Sequence, residues 1–466
     1  MNSELEMARR VVDMVRAAAG AGVQAEVFVD HTALALTRFA NSYIHQNVAD
    51  AATAVRLRVH ADGRTAAGST RLVDRDGLAT LVARTLAAAK LCPPDSRWPG
   101  LTAPAPLAGN ANWDEATAHA SPAERADRVR AFVDAAGGLE TAGYCRTIYR
   151  SGAFVNSAGQ SVAGRTTEAA VDAVARVDGS DGVVRLASVR LADLDGTSLG
   201  GRAAAKARAG RDPVELPPGR YEVVLEPTAV ADVVQNLAQH GFDGRAHVER
   251  RSFAELGAPQ FDPSITIVDD PLGATGLGLP FDPEGTPKRA LTLVDAGVTR
   301  AVAHDRRTAA EAGTAPTGHA VAEGAGAGAH PTNPRIEPAA PTQAATAPAG
   351  DSGIGPATDA GTASLVAGVD RGLLVTDFWY TRVLDPKRLV VTGLTRNGVW
   401  LVERGEVTTA VRNLRFTQSY PLALAEGAVR RIGPSTTTMP NSWGLSWWTA
   451  PALHLASWNF TGGASG

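Results

Sequence analysis

Residues 25–48 read AEVFVDHTALALTRFANSYIHQNV. Apolar and polar residues alternate along AEVFVD, ALALTRF and YIHQNV, with small or turn residues between them. The pattern predicts short strands of an antiparallel meander. TAVRLRV (53–59) and RTAAGST (64–70) extend it. In TAVRLRV, Val55, Leu57 and Val59 share one face and Arg56 and Arg58 the other. Upstream, Leu5, Val11, Val12 and Val15 fall at roughly helical spacing, and Gly20 and Gly22 end that segment. Downstream, GLATLVARTLAAAKL (77–91) reads as a second helix. Helix, meander and helix make one unit, expected over 1–110.

The unit then repeats over 111–217. Ser121 with Glu124 three residues on is a capping box ahead of an amphipathic helix. CRTIYR, GAFVNSAGQSVAG, AAVDAVARV and VVRLASVRL read as strands, and GGRAAAKARAG as a closing helix. Phe39-Ala40-Asn41-Ser42 and Phe154-Val155-Asn156-Ser157 stand at the same relative place in the two units. An internal duplication accounts for that.

The character changes past residue 218. YEVVLEP reads as a buried strand running into Pro227, a residue suited to a first helical turn. Val230, Val233, Val234, Leu237 and Ala238 then form one apolar stripe, and Gly241 stops the helix. From Ile265, runs such as ITIVDD, ALTLVDAG, GLLVTDFWY, RLVVTGLTR and EVTTAVRNLRF are expected to build a large, mainly antiparallel β-sandwich or barrel-like domain over 218–466. The fold class is therefore α+β. Residues 308–363 are dominated by Ala, Gly, Pro and Thr with almost no large apolar residue beyond Ile336 and Ile354, so most of that stretch is expected to be a mobile loop.

Composition narrows the function. The chain has 466 residues, is 44% hydrophobic and carries a net charge of −3 with the two signs interspersed. Nothing in it calls for a nucleic-acid or membrane partner. Cys92 and Cys145 are too few for a disulfide framework, the first twenty residues lack the apolar core of a signal peptide, and no apolar run is long enough to span a bilayer. A cytoplasmic protein is expected.

The chemistry centres on VVQNLAQHGFDGR (233–245). Zinc hydrolysis needs two or three His or anionic ligands, an open position for water and a carboxylate to take a proton. Here His240 is one ordinary ligand; Gln235 is a neutral amide and Asn236 has no titratable group. A lone His at a helix carboxyl end is more often a dipole or capping partner. GAGAGAH (324–330) has no strand before it and no helix after it, so it does not read as a nucleotide loop. DFWYTR (377–382) and NSWGLSWW (441–448) concentrate aromatic residues. Trp443 and Trp447, with Thr392 and Gly393, are candidates for a peptide groove.

Several motifs together resemble the TldD/PmbA (TldE) family of zinc metallopeptidase subunits, the modulators of DNA gyrase. They are the 25–48 stretch, QHGFDG, FDPEGTPKRALTLVDAGV (281–298), PTGHA (316–320), HPTNPR (330–335) and LVVTGLTRNGVWLVERGEVTTAVRNLRFTQS (389–419). The resemblance implies His-Glu-X-X-X-His in the catalytic TldD-like subunit, with a carboxyl-terminal Cys as a further ligand. Aligned on that motif, Gln235 replaces the first His and Asn236 the Glu, while His240 and Asp243 remain in the Gly-X-Asp-Gly tail. No Cys lies near the carboxyl end. The resemblance therefore implies a PmbA/TldE-like, non-catalytic partner with vestigial positions Gln235, Asn236, His240 and Asp243, and no metal or cofactor of its own. Zinc would sit in a TldD-like subunit of a heterodimer acting on unfolded or short peptides. A stand-alone homodimeric peptide-binding scaffold, or a diverged hydrolase using His240, remain alternatives at this level.

Overall fold

A computed structural model describes residues 2–109, 111–321, 328–339, 356, 358–441 and 446–463. The chain is α+β, with two large sheets. Six strands, β1 (Gln24–Ala40), β2 (Tyr43–Ala61), β3 (Arg64–Thr70), β4 (Glu140–Asn156), β5 (Ser161–Val177) and β6 (Ser180–Ser188), form one antiparallel sheet in the order β3-β2-β1-β4-β5-β6. AEVFVD and ALALTRF are thus not two strands but one of 17 residues, and YIHQNV and TAVRLRV belong to one of 19. The intervening HT (31–32) and ADAA (49–52) stretches read as breaks, yet each pairs in register with its neighbour. Continuous pairing offsets the weak strand preference of Asp and Ala.

The two halves share this sheet. Each Phe-X-Asn-Ser element closes a hairpin, and each serine ties down the other half. Ser42 donates its backbone N–H to Thr141 O (3.0 Å) and accepts at Oγ from Thr141 N (3.0 Å). Ser157 does the same with Ala25, at 2.8 and 3.0 Å. This reciprocal exchange is what a duplicated unit gives about a local two-fold axis. Helices Asn2–Ala19 and Arg75–Leu91 cover the first half through Val11, Val15, Leu78 and Leu81 against Val27, Val29, Val55 and Leu57. Helices Pro122–Ala135, which carries the Ser121/Glu124 capping box, and Gly196–Ala209 cover the second half.

The opposite face of the sheet receives the carboxyl-terminal region. Leu279 and Phe281 pack on Phe28, Phe154 and Val162. The second sheet is mixed and has eleven strands. They are β7 (Gly219–Leu225), β8 (Ile267–Asp269), β9 (Leu291–Asp295), β10 (Val298–Thr299), β11 (Pro334–Ile336), β12 (Arg371–Asp385), β13 (Val390–Glu403), β14 (Glu406–Ala410), β15 (Leu414–Ser419), β16 (Val429–Pro440) and β17 (Trp447–Gly463). β7, β12, β13, β15 and β17 pair in a closed circuit, because β17 bonds both β15 and β7. β7–β12 and β11–β17 are parallel; the other ladders run antiparallel. The helix Pro227–Asn236 buries Val230, Val233 and Val234 among Leu225, Val375, Phe416 and Leu453 of these strands.

Residues 308–363 contain more order than their composition predicts. The helix Arg306–Ala312 enters the stretch, β11 crosses it and the helix Ala360–Val366 begins in it, each holding buried side chains. Small residues can be buried when neighbouring elements supply the apolar surface. Residues 322–327, 340–355 and 357 of that stretch lie outside the described residues, as does most of GAGAGAH.

Candidate functional site

The helix Pro227–Asn236 ends in a π turn, Leu237–Gly241, closed by an i→i+5 hydrogen bond from Phe242 N to Leu237 O (2.8 Å). At 3.6 residues per turn, positions five apart lie about 140° apart around an α-helix. A π turn narrows that angle, and such turns are frequent at functional sites. The backbone thus has a shape suited to holding positions 235 and 240 together, but the side chains have other partners. Gln235 reaches Gln239 at 3.5 Å. Asn236 is buried and donates from Nδ2 to Asp232 O (2.9 Å) and Asp232 Oδ2 (3.3 Å). His240 is exposed and has no hydrogen bond among the described residues; partial shielding of its ring pushes its pKa down.

Asp243 caps the short helix Gly244–Val248, accepting from Ala246 N at 2.7 Å, and burial raises its pKa. The glycines of QHGFDG have packing reasons of their own. A Cβ on Gly241 would strike the Phe253 ring, and one on Gly244 the carbonyl of Ala303. The motif's tail is held by packing whether or not a metal is bound.

Residues that sequence reasoning missed lie one turn back. Asp232 accepts from Tyr420 Oη (2.7 Å) and Thr381 Oγ1 (2.8 Å) as well as from Asn236. Burial pushes its pKa up to about 6, against the lowering effect of these donors. The i, i+4 spacing of Asp232 and Asn236 was the available signal; Thr381 comes from β12 and Tyr420 from the short helix after β15, both distant in sequence. Because the folded-state pKa lies above the ordinary value of 3.8, this group favours folding below that value and loses its contribution as pH rises through about 6. Unfolding free energy is expected to fall by roughly 2–3 kcal/mol from this group between pH 4 and 7. In Asp232→Asn, denaturant titrations across that range are expected to give a flatter profile; an unchanged slope would remove Asp232 as the source.

The groove candidates are dispersed. Thr392 and Gly393 lie on β13 with neighbours paired on both sides, β12 and β15, so this is not an open sheet edge. Thr392 Oγ1 donates to Phe416 O (2.9 Å), and a Cβ at Gly393 would meet Phe416 and Thr381. Trp447 is buried, donating from Nε1 to Glu168 Oε2 (2.9 Å), whose other oxygen accepts from Arg146 Nε (2.7 Å). It joins β17 to the amino-terminal sheet. Trp443 lies outside the described residues. Gly196-Thr197-Ser198-Leu199-Gly200 spells Gly-X-Ser-X-Gly, but both glycines pack against the carbonyls of Arg128 and Phe132 at the start of a capped helix. Cys145 is buried and its thiol is pushed up to about 12, which leaves it inert.

A family model of the PmbA/TldA metallopeptidase C-terminal domain matches residues 218–462. The chain belongs to the PmbA/TldD family. Its fold is similar to that of TldE from Thermococcus kodakarensis, with 17% identity, TM-score 0.83, and 98% of this chain and 100% of that one covered. A protein from Thermotoga maritima described as a modulator of DNA gyrase is similar at 18% identity, TM-score 0.80, with 97% and 100% covered. One of like description from Bacteroides thetaiotaomicron follows at 16%, TM-score 0.76, with 99% of each chain covered. A search among curated proteins returns no match.

The family implies zinc, and the PmbA/TldD helix of this chain does not fit it. Gln235 and Asn236 are neutral amides, neither a zinc ligand of ordinary strength nor a base, and Asn236 is committed to Asp232. Among the described residues no group of three His, Cys, Asp or Glu is placed to hold a metal ion. The other PmbA/TldD motifs are structural. In FDPEG, Glu284 accepts from Arg58 Nη1 (3.0 Å) and from the backbone N–H of Arg306 (2.9 Å), while Glu26 accepts from Arg306 Nη2 (2.6 Å). Asp282 accepts from the backbone N–H groups of Glu284 (2.9 Å), Thr286 (3.0 Å) and Ala320 (3.0 Å); burial beside Glu284 raises its pKa. In PTGHA, buried His319 pairs with Asp269 at 2.8 Å, and Asn333 of HPTNPR donates its backbone N–H to the same carboxylate at 2.6 Å. Among the described residues no helix is long and apolar enough to cross a membrane.

Proposed function

We propose that this chain is the non-catalytic, PmbA/TldE-like subunit of a TldD/TldE-type metallopeptidase complex. A TldD-like partner carries the zinc and cleaves unfolded or short peptides in the cytoplasm, and this chain supplies chamber wall and peptide-binding surface. The reading rests most on one observation: a helix with a π turn in the place of the zinc helix carries Gln235 and Asn236, and Asn236 is bonded to Asp232. No proton acceptor stands where peptide hydrolysis would need one.

Co-expression with a chain bearing intact His-Glu-X-X-X-His is expected to give a one-to-one complex by light scattering, with one zinc per heterodimer and chelator-sensitive peptidase activity. The isolated chain is expected to contain no stoichiometric zinc. Zinc-dependent turnover by the isolated chain, lost in His240→Ala, would instead establish a diverged hydrolase. A homodimer that ignores the co-expressed partner would establish the scaffold.

A further inference from the structure

A cleft of about 780 Å³ opens where the β5–β6 turn of the amino-terminal sheet faces β13 and the segment after β14. Its volume is that of small-ligand sites, which favour junctions between structural units. Glu140 and Asp178 stand on one wall, and Arg396 and Arg412 on the other. Arg176 is already neutralised by Asp181, through bonds of 2.6 and 3.0 Å. The remaining charges do not pair across the cleft. Among the described residues Glu140 and Asp178 make no salt bridge, Glu140 standing opposite Arg176 on the neighbouring strand, and Arg412 pairs at 3.8 Å with Glu215, which is outside the cleft. The Arg396 guanidinium lies 4.5 Å from the centre of the Trp379 ring, and no carboxylate bonds it. Packing against the ring face fixes its plane and leaves its N–H edges free.

The two walls thus carry opposite charges that do not pair with each other across the ligand-sized space between them. A simple anion or cation would satisfy one wall and be repelled by the other. A molecule with an ammonium at one end and a carboxylate at the other satisfies both. We propose that this cleft binds a short peptide by its two free termini, the α-ammonium at Glu140 and Asp178 and the α-carboxylate at Arg396 and Arg412. A planar guanidinium can take a carboxylate by two parallel hydrogen bonds. The exposed setting makes each end weak alone, so both are needed, and added salt weakens the binding. All four side chains belong to this chain, so the proposal stands or falls without a zinc-bearing partner.

The test is isothermal titration of the full chain at low salt with trialanine, N-acetyl-trialanine and trialanine amide. Trialanine is expected to saturate below about 10 mM, and blocking either terminus to weaken binding at least about five-fold. Arg396→Gln is expected to erase the preference for trialanine over its amide while keeping the preference over the acetylated peptide. Glu140→Gln combined with Asp178→Asn is expected to do the reverse. Circular dichroism checks that these surface variants fold. The proposal is overturned if trialanine does not saturate, if blocked peptides bind as tightly, or if folded variants keep both preferences.

Discussion

Replacing Glu284 by alanine is expected to lower the unfolding free energy by about 3–5 kcal/mol, the cost of leaving buried charges without a counter-ion. Glu284 is 8% exposed and shares Arg58 and Arg306 with Glu26, which is 4% exposed. The four charges cancel within one cluster. Removing one carboxylate leaves two guanidinium groups facing a single acid in a site walled from water. Arg58 lies on β2, Arg306 begins the helix Arg306–Ala312, and Glu284 sits in the turn that docks on the amino-terminal sheet. The loss therefore loosens the contact between the two sheets as well as the turn itself. Urea denaturation is the measurement, and the midpoint is expected to fall with little change in slope. Glu284→Gln, which keeps a hydrogen-bond acceptor and loses the charge, is expected to fall between wild type and Glu284→Ala. A midpoint unmoved by the alanine variant would mean that the cluster contributes nothing net.

The second large effect is at the zinc-type helix. Asn236→Glu places an acidic residue at this position and is expected to cost about 2–4 kcal/mol near pH 7. Asn236 Nδ2 now lies 3.3 Å from Asp232 Oδ2 and donates to it. A glutamate there replaces a donor with an acceptor, and two carboxylates in one buried site cannot both ionise cheaply. Asp232, already raised to about 6, would be driven higher. Stability is then regained as the pH is lowered toward 5, because protonation of either acid removes the repulsion. Thermal unfolding of wild type and variant at pH 5 and pH 7.5 checks this. An equal shift at both pH values would point to a steric cause.

The same site shows why a motif reading reached only part of the answer. That Gln235 and Asn236 are neutral amides, unable to do the work of an imidazole or a carboxylate, was legible in the sequence. What surrounds those amides was not legible. Asp232, Thr381 and Tyr420 are far apart in the sequence and meet because the helix Pro227–Asn236 packs against β12 and the segment after β15. The Glu26–Arg58–Glu284–Arg306 cluster was hidden for the same reason. Its members lie in a strand, a second strand, a turn and a helix start, and each alone reads as a solvated charge.

Strand limits failed in a different way. Local composition broke β1 and β2 into pieces at His31–Thr32 and at Ala49–Ala52, because small and polar residues there weaken the strand preference. Pairing partners offset that weakening, and Asp30 is held by Arg150 from β4 at 2.7 Å. The thin apolar content of 308–363 misled in the same direction, as helix ends and β11 are buried against surfaces supplied from elsewhere.

By itself, the sequence determined the α+β class, the duplicated amino-terminal unit, the capped helices and the neutral amides at positions 235 and 236. These follow from periodicity and side-chain chemistry, which act over a few residues. Only the tertiary structure decided that both halves share one six-stranded sheet, that β17 closes a barrel on β7, and that a buried acid waits beneath Asn236. It also decided that charges on two distant segments face each other across an open cleft. These depend on long-range pairing and burial, which no local pattern encodes.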